Sequence, residues 1–451
     1  MIIKKFTATN VHDYLNYEIE FNEHLTFLIG INGTGKTSVL KLILGLISPS
    51  FNYLNSIDYD FIELECLDEN NTSFKISSRK NEEENYSIDL LINDEEPITG
   101  KIIKLNKIQQ RYLDFEKEDE QTSSIIEGFN DQEVVKKIKS LTTPLFLGLD
   151  RRVYEGRQID KMRQGFLIRR KYKNFPQGDP LNFSLIDIQE VIYDYYRIIA
   201  SKQPEINQNF KNKILLQSFE FLDSQEINII NDFKELREKK QDALDAFDNL
   251  NIIGFKNQVD TFFEQLETVL KEINNRRKSN EDDAINKDSI EFFQKWFNNQ
   301  PQLKRIDKLI EYNQAYQTEI EGLYEPIEKL MNLINEFYSE SKKQLSITTQ
   351  GELKVIFQNG KEAEIFELSS GEKQIITMLG HLIFFEEKFK TQKGIFIIDE
   401  PEVSLHLAWQ EIFVKSIIEA SPNTQFILAT HSPAITGDAD ESLFEDLAKM
   451  N

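Results

Sequence analysis

The alternation of apolar and polar positions divides the chain into two strand-rich ends and a helix-rich middle. Residues 16–21 alternate polar and apolar side chains, which predicts a strand. Residues 25–30 are mostly apolar and end in glycine, which predicts a buried strand that runs into the glycine-rich loop. The run after Lys36 has the apolar face of a helix. Residues 60–93 hold alternating segments separated by turns, which predict a small antiparallel sheet, and residues 145–149 predict another short strand.

Between about residue 186 and residue 345, glycine is sparse and helix-forming residues dominate, which predicts helices. One set of apolar residues is spaced by alternating steps of four and three: Tyr316, Ile320, Leu323, Ile327, Leu330, Ile334 and Phe337. This heptad-like spacing allows two alternatives, amphipathic helices packed within a lobe or a short projecting coiled coil. Pro326 lies inside the pattern, so we expect a helix to kink or begin there.

Strand patterns return after residue 345. Gly351 and Gly360, each after Gln or Asn, lie between alternating runs and predict a meander with at least one tight hairpin. The remaining pattern predicts a helix over about 371–388, a buried strand at 394–399, a helix at 406–419 and a strand at 426–430. We therefore expect residues 1–150 and 345–451 to form one α/β domain, interrupted by a helical insert over 151–344.

Composition and charge restrict the function classes. The 451 residues are 40% hydrophobic and 29% charged, which suits two or three compact domains with solvated helices. A mean hydropathy of -0.46, with no signal peptide and no membrane-spanning apolar run, predicts a soluble cytoplasmic protein. Cys66 is the single cysteine, so a disulfide within the chain is impossible. The net charge of -23 disfavours nucleic-acid binding except at a local basic surface.

The first chemical motif is the glycine-rich stretch that follows the buried strand at 25–30. Gly30, Gly35, Lys36 and Thr37 have the spacing of a phosphate-binding loop, in which backbone N–H groups and a helix N-terminus surround phosphate oxygens. Lys36 is suited to neutralise the outer phosphates and the Thr37 hydroxyl to ligate Mg2+. The residues expected to bind the nucleotide here are Asn32, Gly33, Thr34, Gly35, Lys36, Thr37 and Ser38.

The second motif is the acidic pair Asp399-Glu400 at the end of the apolar run 395–398. A buried strand there would deliver both carboxylates to its carboxyl end, the edge at which open α/β sheets bind ligands. Asp399 is suited to anchor Mg2+, usually through water, and Glu400 to orient or deprotonate an attacking water. The alternative is a strand that ends in a solvated acidic turn.

Two further motifs are weaker by themselves. The sequence LSSGEKQ at 368–374 predicts a helix N-terminus, which is either an anion site or a plain cap with Ser370 as the capping residue. His431 directly follows the strand at 426–430, where it could contact a γ-phosphate at the sheet edge.

At these residues the chain resembles the ABC ATPase superfamily, in the branch that contains the SMC, RecF and OLD-like ATPases. Gly30–Thr37 resembles the Walker A motif, Leu368–Glu372 the signature motif and Ile395–Glu400 the Walker B motif with its catalytic glutamate. Ser404–His406 resembles the D-loop, and His431 resembles the switch histidine. The motifs occur in the family's order.

The resemblance implies a P-loop ATPase head, with a mixed sheet, an antiparallel subdomain and an inserted helical domain. It also implies a homodimer or larger assembly that encloses ATP and Mg2+ between copies. Walker A of one chain would then face Ser369, Ser370 and Gly371 of another. Ser370 and Glu372 depart from the frequent LSGGQ form of the signature. Candidates for the Q-loop are Gln109, Gln110 and Asp150–Arg152, and the adenine site is expected near Thr7–His12.

The length of the insert and of the tail after His431 distinguishes this chain from some members of the branch. The insert is too short for SMC-like arms, and the tail leaves no room for the Toprim domain of OLD nucleases, so we expect no nuclease domain in this chain. A head of this kind most resembles the PtuA-type ATPases of Septu and related retron antiphage systems. Those ATPases work with a separate HNH endonuclease, PtuB, so a PtuB-like partner is implied.

A basic segment at 150–173 contrasts with the acidic chain. It holds nine Arg or Lys residues against three acidic ones, with Tyr154, Phe166 and Tyr172 among them. It predicts either a DNA-binding groove or a basic surface that pairs with acidic protein surfaces. Two further functions stay open: a nucleotide-sensing scaffold with little ATP turnover, and a RecF-like DNA-repair ATPase.

Overall fold

In this computed structural model, the described residues form two compact units, 1–194 with 326–451 and 195–325. The described ranges are 1–68, 70–81, 85–93, 95–105, 120–141, 145–147, 153–155, 180–220, 232–249, 256–278, 287–388, 394–403 and 405–450. None of the helices in these ranges is both long enough and apolar enough to cross a membrane.

A six-stranded sheet lies at the centre of the first unit. Its spatial order is β15 (Phe444–Asp446), β3 (Leu25–Ile29), β14 (Gln425–Ala429), β13 (Ile395–Asp399), β8 (Leu145–Leu147) and β9 (Val153–Glu155). All neighbours are parallel except β8 and β9, which pair antiparallel. Every residue of β13 and β14 is buried, as their mostly apolar sequences predict.

Antiparallel sheets complete the strand content of this unit. One has the order β2 (Leu15–Glu20), β1 (Ile2–Val11), β4 (Phe61–Leu67), β5 (Ser73–Lys80), β6 (Tyr86–Ile92) and β7 (Ile98–Ile102). The other is the meander β10 (Lys343–Ile347), β11 (Leu353–Phe357) and β12 (Glu362–Glu364). Gly360 lies in the turn between the last two strands with a φ of 78°, a conformation that glycine adopts readily.

Among the described residues, seven α-helices lie wholly within the first unit. They are α1 (Lys36–Ile47), α2 (Phe51–Ser56), α3 (Glu120–Asn130), α4 (Glu133–Leu141), α9 (Ser370–Lys388), α10 (Leu407–Ala420) and α11 (Pro433–Thr436). Leu40 and Ile43 of α1 belong to the same apolar core as Ile397 of β13 and Ile427 of β14. This packing holds the start of α1 against the central sheet.

The second unit consists of helices. They are α6 (Phe233–Asn249), α7 (Lys256–Lys278) and parts of α5 (Pro180–Ser218) and α8 (Lys287–Tyr338). A shared core joins α6, α7 and α8 through Leu236, Ala243, Phe263, Leu266, Leu270, Ile273, Trp296 and Leu303. Helices α5 and α8 also contact each other, since the ring centroids of Phe210 and Tyr316 are 4.8 Å apart.

The expected fold class is confirmed: a mixed central sheet, an antiparallel sheet and a helical region occur in one α/β chain. The helical unit spans Tyr195–Glu325, and the insert expected over 151–344 stays a prediction. Of the two alternatives expected at Pro326, a helix start is wrong, because α8 runs through that residue from Lys287 to Tyr338, and a kink stays a prediction. Buried Leu323, Ile327 and Leu330 on either side of the proline explain why packing maintains the helix there.

Candidate nucleotide-binding site

Three adjacent parallel strands bring the separated motifs to one edge of the central sheet. Strand β14 pairs with β3 on one side and with β13 on the other. Asp399 is in register with Ala429, and Ala429 is in register with Leu28. The glycine-rich loop, the acidic pair and His431 therefore all follow strand ends at this edge, as expected for ligand-binding residues of an α/β sheet.

The glycine-rich loop has a backbone that favours glycine. Gly30, Gly33 and Gly35 have φ values of 150°, 92° and 80°, which side chains with a Cβ rarely adopt. Gly35 is the N-cap of α1, and no side chain caps this helix end. The first-turn N–H groups are therefore available to an anion.

Lys36 lies buried beneath this loop, with 6% of its surface exposed. Its ammonium donates to the carbonyl oxygen of Gly30 at 2.6 Å and is 3.5 Å from that of Ile31. Carbonyl oxygens of the loop that the sequence predicts to bind phosphate thus hold the Lys36 ammonium in place.

Tyr17 of β2 stabilises the glycine-rich loop. The sequence analysis did not identify this role of Tyr17. Its hydroxyl donates to the carbonyl oxygen of Thr34 at 2.8 Å. A Cβ on Gly35 would lie 2.1 Å from the Tyr17 hydroxyl oxygen, so this contact requires glycine there. Burial raises the pKa of Tyr17 to about 12, which keeps the hydroxyl protonated as a donor. The inward position of Tyr17 in an alternating strand was the available signal.

The turn after β1 also reaches this region. Nε2 of His12 and Oγ of Ser38 are 2.9 Å apart, and His12 has a φ of 54°. A residue of the expected adenine region therefore contacts a residue of the expected phosphate site.

Asp399 is buried at the end of β13 with 3% of its surface exposed. Neither carboxylate oxygen accepts a well-formed hydrogen bond from the residues that the structure describes. Burial raises the pKa of Asp399, the nearby Thr37 hydroxyl opposes the increase, and Glu400 adds to it. Because a buried carboxylate without hydrogen bonds is costly, this pair of oxygens beside Thr37 fits a divalent cation.

Glu400 follows in a conformation that is unusual for a side chain with a Cβ. Its φ is 49°, and its backbone N–H donates to the carbonyl oxygen of Ala429 at 2.8 Å. Such strained positions occur preferentially at functional sites.

Glu402 is a second residue that the sequence analysis missed. Its carboxylate accepts hydrogen bonds from the Thr430 hydroxyl and from the backbone N–H of His431, both at 2.8 Å. Nδ1 of His431 is 2.9 Å from the same carboxylate. A third acidic residue in the sequence Asp-Glu-Pro-Glu was the available signal.

Gln410 connects the turn after β13 with the turn after β14. It accepts a hydrogen bond from the Ser432 hydroxyl at 2.6 Å and donates to the carbonyl oxygen of Leu405 at 3.0 Å. Leu405 and His406 belong to the segment that resembles the D-loop, whereas Ser404 lies outside the described residues. His406 is the exposed N-cap of α10 and makes no side-chain capping bond.

The signature-like sequence forms the N-terminus of α9. The expectation that Ser370 is the cap is wrong, because α9 begins at Ser370 and Ser369 precedes it. The Ser369 backbone N–H donates to Glu372 at 2.8 Å, and the Glu372 N–H donates to Oγ of Ser369 at 3.4 Å. This reciprocal pair is a capping box.

Glu372 is almost completely buried in this turn. Burial opposes its charged form, but hydrogen bonds from Lys343 and Ser369 outweigh that effect and lower its pKa. Ser369 and Ser370 are exposed, so their side chains are accessible from outside the unit.

The central edge thus brings together the expected residues Lys36, Thr37, Asp399, Glu400 and His431. Ser369, Ser370 and Gly371 belong instead to the start of α9. The Q-loop candidates Gln109, Gln110 and Asp150–Arg152 lie outside the described residues. So do the cations of the basic segment: Arg151, Arg152, Arg157, Lys161, Arg163, Arg169, Arg170, Lys171 and Lys173.

Comparisons with known proteins identify relatives of this chain. A family model described as the AAA ATPase domain matches residues 1–436. The chain is 28% identical over 209 residues to a retron Vc95 probable ATPase of Vibrio cholerae serotype O1 biovar El Tor, which covers 44% of this chain and 39% of that protein.

Two further relatives match over shorter segments. A retron Ec83 probable ATPase of Escherichia coli is 27% identical over 93 residues, 19% of this chain and 17% of that protein. The endonuclease GajA of Bacillus cereus (strain VD045) is 24% identical over 120 residues, 24% of this chain and 21% of that protein. The chain therefore spans well under half the length of each of these relatives.

Among solved structures, the chain is similar to Smc head domains. One from Pyrococcus furiosus, with an extended coiled coil and bound to the C-terminal domain of ScpA, has a TM-score of 0.37 and 14% identity, covering 97% of this chain and 92% of that one. Another, from Pyrococcus yayanosii, has a TM-score of 0.34 and 14% identity, covering 97% and 94%.

Proposed function

The chain belongs to the AAA ATPase domain family, and we propose that it is the ATP-binding and ATP-hydrolysing head of a bacterial antiphage defence complex. The resemblance found in the motifs is confirmed at the level of the ATPase domain. The finer assignment to the PtuA type of Septu systems belongs to the proposal.

The observation that carries the ATPase proposal is the buried carboxylate of Asp399 beside Thr37. Its two oxygens accept no well-formed hydrogen bond from the described residues, and Asp399 is almost completely buried, with 3% of its surface exposed. A hard divalent cation prefers such oxygen ligands, and Mg2+ is usually held by few protein groups, with water and phosphate completing its shell. Asp399 and Thr37 would hold Mg2+, which when bound neutralises charge on the β- and γ-phosphates.

The chain's own residues have distinct roles in hydrolysis. Lys36 binds the outer phosphates, together with the N–H groups of the loop from Asn32 to Ser38. Glu400 orients the attacking water and accepts its proton. His431 contacts the γ-phosphate from the end of β14. Ser369, Ser370 and Gly371 complete the site from a second copy of the chain.

The defence role is supported by relatives rather than by the site itself. Two of the relatives are named retron probable ATPases and a third is named an endonuclease. We propose that this chain controls a separate PtuB-like HNH nuclease, because its motifs resemble those of the PtuA-type ATPases that work with such a partner. Copurification of an HNH protein encoded next to this chain, and nuclease activity that depends on Lys36, would test this part.

Contact with DNA is the least direct part of the proposal, and it depends on the basic segment at 150–173. Reversing the charges of Arg169, Arg170 and Lys171 should weaken DNA binding and reduce its salt dependence. Unchanged affinity in that variant would remove this segment as a DNA contact.

The decisive experiment measures ATP binding and turnover separately. Lys36→Ala should lose ATP binding, because the buried ammonium is the cation held by the loop. Glu400→Gln should bind ATP and hydrolyse it at least about 100-fold more slowly, as expected when a positioned general base is lost. Equal hydrolysis by Glu400→Gln and the parent would contradict the assigned role, and ATP binding with negligible parental turnover would favour the sensing scaffold.

A further inference from the structure

Glu402 has no role in the chemistry described above, yet its carboxylate is among the most buried carboxylates of the residues that the structure describes. Its side chain is 7% exposed, whereas that of His431 is 53% exposed. A buried carboxylate is stable only when its oxygens accept hydrogen bonds. Both oxygens of Glu402 are satisfied by Thr430 and His431, which lie 28 and 29 residues further along the chain.

The hydrogen bonds fix both the backbone and the ring of His431. One oxygen accepts the His431 backbone N–H at 2.8 Å and lies 2.9 Å from Nδ1 of the ring. The other oxygen accepts the Thr430 hydroxyl at 2.8 Å. A side chain held at its backbone and at one ring nitrogen has little freedom left about its first two torsions.

The chemistry of the pair also decides which ring nitrogen carries hydrogen. An ionised carboxylate only accepts hydrogen bonds, so Nδ1 of His431 must be the donor. Nε2 is then the nitrogen left for a ligand. It can donate to a phosphate oxygen only when both ring nitrogens carry hydrogen, and Glu402 then balances the positive charge of the ring.

We propose that Glu402 is a positioning residue, which fixes the ring of His431 with hydrogen on Nδ1 and presents Nε2 to the γ-phosphate. This proposal rests on the proposed function, because the benefit of the fixed ring is realised in ATP hydrolysis. Glu402, the last residue of the sequence Asp399-Glu400-Pro401-Glu402, would then act on the site indirectly, through His431 at the end of β14.

A spectroscopic measurement tests the geometry without reference to catalysis. In protein labelled with 15N-histidine, long-range 1H–15N correlations report which ring nitrogen is protonated, and the chain has only five histidines to assign. We expect hydrogen on Nδ1 of His431 in the nucleotide-free protein. A neutral ring with hydrogen on Nε2 alone would overturn the proposal, even if the protein hydrolyses ATP normally.

A double-mutant cycle tests the function. Glu402→Gln keeps the shape of the side chain and removes its charge, and we expect kcat for ATP to fall about 10- to 100-fold, the range found when the partner of a metal-bound imidazole is removed. KM should change by no more than about threefold, because loop contacts with ATP are retained. In the His431→Ala background, the same substitution should cause no further loss, since His431→Ala removes the ring through which Glu402 acts.

The control is Glu411→Gln, which changes an exposed glutamate on α10 and should leave kcat unchanged. Multiplicative losses in the double variant would mean that Glu402 is only structural and would overturn the proposal. If the parent itself neither binds nor hydrolyses ATP, the proposed function fails, and the histidine spectrum still decides whether Glu402 fixes the ring.

Discussion

At the residue scale, the role proposed for Asp399 as a ligand of Mg2+ opposes the stability of the nucleotide-free fold. Burial raises the pKa of Asp399, so the folded chain binds a proton more tightly than the unfolded chain. Folding stability therefore decreases as the pH rises from the unfolded pKa through the raised pKa of the folded chain. We expect Asp399→Asn to raise the free energy of unfolding of the nucleotide-free protein by about 1 kcal/mol at neutral pH. The same variant should lose Mg2+-dependent ATP hydrolysis.

Urea denaturation with and without Mg2+ and ATP checks this prediction. The parent should gain stability from Mg2+ with ATP, whereas the variant should gain much less. A variant less stable than the parent in the absence of ligand would show that Asp399 has a structural role at this site.

His381 is a second buried group whose pKa is shifted by burial. It lies in α9 with no partner for Nε2 among the described residues, and burial lowers its pKa from 6.5 to about 4. Between these values the unfolded chain binds a proton that the folded chain excludes. Stability should therefore decrease as the pH falls from about 6.5 to about 4, by roughly 3 kcal/mol in total.

The free energy of unfolding across this pH range, measured in urea, tests the contribution of His381. His381→Gln should remove that part of the slope, because glutamine does not titrate. His24→Gln, at an exposed histidine, is the control and should retain it. Equal slopes for both variants would place the acid sensitivity elsewhere.

At the scale of elements, two adjacent serines at the start of α9 have different structural roles. Ser369 forms the capping box with Glu372, so Ser369→Ala should lower the free energy of unfolding by about 1 kcal/mol. Ser370 is exposed at the first helical position, and Ser370→Ala should change it by less than about 0.5 kcal/mol. Thermal unfolding of both variants without nucleotide gives the comparison, and a larger loss for Ser370→Ala would contradict the assigned cap.

The sequence predicted those elements whose pattern is local. Mostly apolar runs predicted β3, β13 and β14, and the residues that follow these runs were proposed as the candidate site before the strand order was known. The pairing of Glu402 with His431 and of Tyr17 with Thr34 could not be predicted, because each joins separate segments through a hydrogen bond that leaves no periodic pattern. The cap at Ser369 was missed although Glu372 lies three residues later, since Ser370 fits the same local preference.

The boundaries of the helical unit could not be predicted from a local sequence pattern either. Helices α5 and α8 contribute to both units, so helix-forming composition continues across the unit boundaries at 194/195 and 325/326. The proline at 326 was given too much weight as a helix breaker, because tertiary packing of Ile327 and Leu330 outweighs its local cost.

At the scale of the whole molecule, the proposed ATP-bound dimer must overcome the charge of two copies, each with a net charge of -23. Glu400→Gln should retain ATP and accumulate as a dimer of twice the 52.9 kDa chain, measured by light scattering with Mg2+ and ATP. Because salt screens the repulsion, its dimer should become tighter as KCl is raised from about 0.05 M to about 0.3 M. Adding Lys36→Ala should abolish the dimer and adding Ser370→Ala should weaken it, whereas an ATP-bound Glu400→Gln monomer would show that one copy encloses the nucleotide alone.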